Sequence, residues 1–143
     1  MEANMFANLF SRKPSNETSE ITARQAMAAV MVRIAKSDDD YAVAECERID
    51  AVLSVLYDLT ADQATSLRLQ AEALEADAPD TVRFTRAIKE AVPYDDRFDM
   101  VRALWQVVLA DGERDHEEDA LMRLLASLLG VNDRDSAIAR QQA

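Results

Sequence analysis

Residues 34–49 read IAKSDDDYAVAECERI, and residues 107–122 read VVLADGERDHEEDALM. Laid over one another at an offset of 73, the two stretches share a plan: an apolar helix end, an aspartate, a polar loop, a glutamate, then a new apolar helix. Asp38 falls on Asp111 and Glu45 on Glu118, while Ile34, Ile49 and Leu56 fall on Val107, Met122 and Leu129. Such a repeat points to two related helical hairpins packed on one another, because a lone hairpin cannot bury its apolar face. A pseudo-two-fold relation between the hairpins would also bring the two acidic loops close together.

The chain outside these stretches reads as helix too. Met27, Val30, Met31 and Ile34 recur at helical spacing and predict a first helix over Glu20–Lys36. Ile49, Val52, Leu53 and Leu56 mark one side of a second, over Ala42–Leu56. Thr60 with Gln63 three residues later forms a capping-box signature and starts a third that runs to about Ala76. Pro79 ends it, and Asp80 is placed to cap a fourth, which stops at Pro93. A fifth helix from Asp95 carries the stripe Phe98, Val101, Leu104, Trp105 and Val108. A sixth presents Leu121, Leu124, Leu125 and Leu128 before Gly130, a C-terminal cap, and Asn132 caps a short seventh. No segment shows the two-residue alternation of a strand. The expectation is an all-α, single-domain bundle of about seven helices over residues 19–143, preceded by a flexible arm, 1–18.

Composition agrees. Of 143 residues about half are apolar, while two are glycine and three are proline. Strands joined by tight turns usually need more glycine than that. A chain of this length buries a core without covalent staples. Cys46 is the only cysteine, which excludes an intrachain disulfide and a cysteine zinc cluster. No apolar run reaches membrane-spanning length and no signal-peptide pattern opens the chain, so a soluble cytoplasmic protein is expected. The arm does hold MFANLF followed by SRK, a pattern for weak contact with a membrane or a partner, or for folding back on the core. A net charge of −11 argues against nucleic acid and anionic lipid as partners. It leaves cations, a basic protein partner, or simple solubility.

The acidic loops hold the densest cluster of ionisable side chains. Gly112 and Glu118 stand six apart, as the glycine and last glutamate of an EF-hand do. The first and third loop positions would then be Val107 and Leu109, or Ile34 and Lys36 in the other copy, none of which offers a side-chain oxygen. An EF-hand is excluded in both copies. A site assembled from both loops stays open: Asp38, Glu45, Asp111 and Glu118 supply four carboxylates of the kind that Ca²⁺ or Mg²⁺ takes. The competing reading is helix capping. Asp115 and Glu118 form a capping box, and acidic first turns suit the helix dipole. That competitor is weaker for Glu45, whose counterpart of Asp115 is Ala42, a residue with no capping oxygen.

Other chemistries lack their residues. Glu113 and His116 have Glu-x-x-His spacing, but a di-iron site needs two such histidines and the chain has one. Cys46 reads as a small buried thiol rather than a nucleophile. No phosphate-binding GxxxxGK is present. An enzyme would need a pocket joining Trp105 to ionisable groups, whereas Trp105 and Tyr94, at helical spacing with Phe98 and Leu104, read as core. A non-enzymatic protein is expected.

MVRIAKSDDDYAVAECERIDAVLSVLYDLT and ALWQVVLADGERDHEEDALMRLLASLLGV, with the link APDTVRFTRAIKEAVPYDDR between them, resemble the TerB family of tellurite-resistance proteins over roughly residues 20 to 138. The resemblance implies an all-helical fold of about seven helices, a tie to resistance or stress response, and no known catalytic reaction. It also implies a divalent cation held by the acidic loops, which by position are Asp111 and Glu118 in one copy and Asp38 and Glu45 in the other. The first loop departs from the pattern, with Asp39 where ADG has its glycine. Aspartate adopts a left-handed backbone less readily than glycine, which works against a symmetric site. Two functions remain open on this reading: a cation-binding module in stress response or scaffolding, and a metal-independent interaction module that offers its acidic face to a partner.

Overall fold

A computed structural model describes residues 21–38, 41–109 and 116–143, with the side chains of 38 and 116–118 outside that description. Seven α-helices and no strand occur among the described residues: α1 (Ala23–Ala35), α2 (Val43–Tyr57), α3 (Ala61–Ala76), α4 (Val82–Ala91), α5 (Tyr94–Val108), α6 (His116–Leu128) and α7 (Asp133–Gln142). A short 3₁₀ turn, Lys36–Asp38, follows α1. The expected all-α bundle is thus observed. None of these helices is long and apolar enough to cross a membrane.

Local signals set most of the boundaries. Thr60 Oγ1 accepts from Gln63 N at 3.2 Å and Gln63 Oε1 accepts from Thr60 N at 2.9 Å, which is the capping box read from the sequence. A second box starts α1: Thr22 and Gln25 exchange the same two bonds at 3.1 Å, so the helix begins after Thr22 rather than at Glu20. Asp80 caps from just outside α4, accepting from Val82 N at 3.0 Å. Asn132 Oδ1 accepts from Asp135 N at 2.8 Å and opens α7. Gly130, at φ +78°, closes α6 in the left-handed conformation. Beyond it Val131 N donates to Ala126 O at 2.8 Å, the long bond of a Schellman turn. Asp58 does the same for α2 at φ +56°, with Leu59 N donating to Ser54 O at 3.0 Å.

The core is built around α1. Every residue from Ala26 to Val32 is buried. The helix is therefore apolar all round, wider than the one-sided stripe of Met27, Val30, Met31 and Ile34. It packs on α2, α3, α4, α5 and α6. The two related hairpins are α1–α2 and α5–α6, and their likeness extends to a third helix. In the first unit α3 lies on α1 and α2; in the second α7 lies on α5 and α6, while α4 joins the units through α1 and α6.

Two sequence expectations change here. On α6 the buried face is Met122, Leu125, Ala126 and Leu129, and Leu124 is 51% exposed. The helix is rotated relative to a leucine-only face, because its core side follows the α2 pattern of Ile49, Val52 and Leu53. Tyr94 is not core. It stands at the exposed start of α5, where its hydroxyl donates to Asp135 and its ring stacks under Arg97, 5.5 Å from guanidinium to centroid. Trp105 is buried as expected, with Nε1 donating to Ser136 Oγ at 3.1 Å, but it also borders a cleft lined by Asp119, Arg123, Asp133 and Arg140, so the space beside it is not filled core.

Candidate functional site

The first acidic loop is held at both flanks by α3. On the entering side, Lys36 Nζ donates to Glu75 Oε1 at 2.8 Å and Arg33 Nε to Glu75 Oε2 at 2.6 Å. Arg33 also donates through Nη2 to Ala78 O at 2.8 Å, and Ser37 Oγ donates to Ile34 O at 2.7 Å. On the leaving side, Tyr41 Oη donates to Glu72 Oε2 at 2.7 Å. Arg68 ties the same glutamate to α2, donating to Glu72 Oε2 and to Asp50 Oδ1, each at 2.7 Å. Glu72 and Glu75 lie three apart on α3, so one helical face reaches both ends of the loop.

The electrostatics follow from this arrangement. Glu75 is buried, and burial alone opposes its charge. Hydrogen bonds from Lys36 and Arg33 outweigh that penalty and hold its carboxyl below the usual value of 4.5. Tyr41 moves the other way: burial, then its bond to the Glu72 carboxylate, push the phenol above its ordinary range. Both shifts keep the network in its bonded protonation state at neutral pH.

Of the four candidate ligands, Asp38 lies at the end of the 3₁₀ turn and Glu45 at the third position of α2. Glu118 lies in the first turn of α6, and its side chain is outside the described set, as is that of Asp38. Asp111 falls outside the described residues altogether. Glu45 is half-buried, and its Oε1 accepts from Ala42 N at 3.1 Å. Ala42 indeed makes no side-chain cap, yet Glu45 performs its own half of a capping box without a partner oxygen at the cap. Glu45 therefore has a capping role in the first copy, which corrects the reading that Ala42 frees it from that role. Among the described residues no three His, Cys, Asp or Glu side chains gather as a metal-holding group.

One packing contact bears on how the loops relate. The 3₁₀ turn that carries Asp38 packs against α6, the helix that follows the second acidic loop. The sequence offered no direct signal for this contact. It also missed Glu72 and Glu75, whose partners lie on another helix and are invisible to local spacing. Cys46 is half-buried beside this region rather than a core thiol.

A family model described as tellurite resistance protein TerB matches residues 24–141. No curated protein and no solved structure matches the chain. The matched span runs from the first turn of α1 to the last turn of α7, so it takes in both units and both acidic loops. With this coverage, and with the helical architecture that the repeat predicts, the chain belongs to the TerB family.

Proposed function

We infer that this chain is a non-enzymatic TerB-family module that binds a divalent cation, Ca²⁺ or Mg²⁺, between its two acidic loops. Its role on this reading is in a stress or tellurite-resistance response, or in scaffolding. The observation that carries the reading is the packing of the Asp38 turn on α6, which favours neighbouring loops. The anchoring of the first loop's flanks by Glu72 and Glu75 adds to it, since held flanks lower the entropic cost of ordering ligands. The donor set suits a hard cation: Asp38, Glu45, Asp111 and Glu118 offer only oxygen.

Calorimetric titration with Ca²⁺ and Mg²⁺ tests this. Saturable heat and a thermal shift are expected, and Asp38→Asn and Glu45→Gln each weaken binding. Absence of heat and of any thermal shift at millimolar cation removes the cation reading. A second reading draws on Glu45 itself: with that carboxylate serving the helix start, the acidic loops act as a face for a basic protein partner and no metal is required. It predicts partner capture that survives a chelator and falls as salt rises. Tellurite survival of a deletion strain tests the resistance role separately.

A further inference from the structure

The two three-helix units differ at a charged position of a corresponding seam. In the first, Asp50 on α2 faces Arg68 on α3. Arg68 Nε donates to Asp50 Oδ1 at 2.7 Å, Thr65 Oγ1 donates to Asp50 Oδ2 at 2.9 Å, and the ion pair is mostly buried. The offset of 73 lays Arg123 over Asp50. Burial fixes this register, since Ile49, Val52 and Leu53 fall on Met122, Leu125 and Ala126, all buried. The third helices align from their side-chain N-caps, Thr60 on Asn132. This offset of 72 lays Ala64 on Ser136, both buried, and Arg68 on Arg140. The carboxylate of the first seam is thus replaced in the second by another guanidinium, and Thr65 by Ala137.

The second seam is open where the first is closed. Arg123 and Arg140 line a cleft of about 380 Å³ between α6 and α7, together with Trp105, Asp119 and Asp133. The Arg140 guanidinium lies over the indole of Trp105, 5.2 Å from its centroid. Its Nε–H is buried with no hydrogen-bond acceptor among the described residues. Among the described residues no ion pair joins Arg123 or Arg140 to a carboxylate. Two like charges across a seam disfavour closure unless an anion stands between them.

The lining also limits which anion fits. A carboxylate matches the planar guanidinium fork, as Asp50 does against Arg68. Asp119 and Asp133 cancel the net charge of the two arginines, so a polyanion is repelled and a lone carboxylate is held by guanidinium donors at short range rather than by net attraction. Trp105 offers an aromatic surface for an apolar body. We propose that the α6–α7 cleft binds a small organic monocarboxylate, with its carboxylate between Arg123 and Arg140 in the place Asp50 takes in the first seam, and its apolar part against Trp105. This site is distinct from the acidic loops and does not depend on the cation reading.

Trp105 is the only tryptophan, so its emission reports on the cleft. The full chain is titrated at constant ionic strength with 3-methylbutanoate, with its neutral amide, and with inorganic phosphate. A saturable response to the carboxylate is expected, with the amide and phosphate at least tenfold weaker. Arg140→Gln weakens the carboxylate at least tenfold. Arg123→Asp rebuilds the Asp–Arg pair of the first seam, so it raises the melting temperature and abolishes the response. No saturable carboxylate response, an equal response to the amide, or tighter binding of phosphate overturns the proposal. So does an Arg123→Asp variant that melts at or below the parent temperature, or one that binds as before.

Discussion

Replacing Glu75 by glutamine tests the anchor of the first loop with little change of shape. The carboxylate is 7% exposed and accepts from Arg33 at 2.6 Å and Lys36 at 2.8 Å. Hydrogen bonds to charged groups contribute about 1.5–3 kcal/mol when sheltered. Arg33 is 23% exposed and keeps its bond to Ala78 O, so the lower end of that range applies, about 1.5 kcal/mol. Lys36 is 42% exposed, and solvent screening reduces its share to about 0.5 kcal/mol. The sum is about 2 kcal/mol, which for a chain of this size lowers the melting temperature by about 6–8 °C. Because the folded carboxyl titrates below 4.5, its contribution is full above that pH and is lost as pH falls through the folded pKa. Thermal melts of parent and Glu75→Gln at pH 7 and across the acid range make the comparison. The gap should close towards low pH. A gap under about 0.5 kcal/mol at pH 7, the size of an ordinary surface substitution, refutes the reasoning, as does a gap that persists unchanged in acid.

Further substitutions probe the frame that holds the loops. Tyr57 has a buried hydroxyl with no hydrogen-bond partner among the described residues, and burial, only partly relieved by the nearby Arg24 charge, pushes its phenol up to about 12. Tyr57→Phe removes that unsatisfied group, so chemical denaturation should show a gain of up to about 1 kcal/mol. Gly130→Ala puts a Cβ at φ +78° and 2.8 Å from Arg97 Nη1, which now donates to Leu129 O. The loss should be about 1–2 kcal/mol by the same assay. Leu125→Ala should cost about 2–5 kcal/mol and Leu124→Ala under about 1 kcal/mol, which checks the observed rotation of α6.

What could be read from the sequence was local. Thr60 with Gln63, Asn132 and Gly130 act within one turn of themselves, and their caps are where spacing placed them. The repeat was legible for the same reason, since the apolar positions of α2 and α6 keep one phase. What escaped depends on neighbours distant in sequence. Nothing local tells that α1 is enclosed on every side, or that Tyr94 meets Asp135 on α7 at the surface. Glu45 was misread for a subtler reason. A capping box has two halves, and the glutamate can make its half when the cap residue is alanine. Asp50 and Arg68 became informative only when set beside Arg123 and Arg140, a comparison that needs the register of the third helices.

The central claim is that the two acidic loops act together on one cation. A double-mutant cycle on Ca²⁺ affinity, with Asp38→Asn, Asp111→Asn and the pair, tests it most directly by calorimetry. One cation per chain is predicted, with each single variant weakening binding about tenfold and the pair departing from the sum of the two. Silent single variants, strictly additive effects at two independent sites, or no heat in the parent would contradict it.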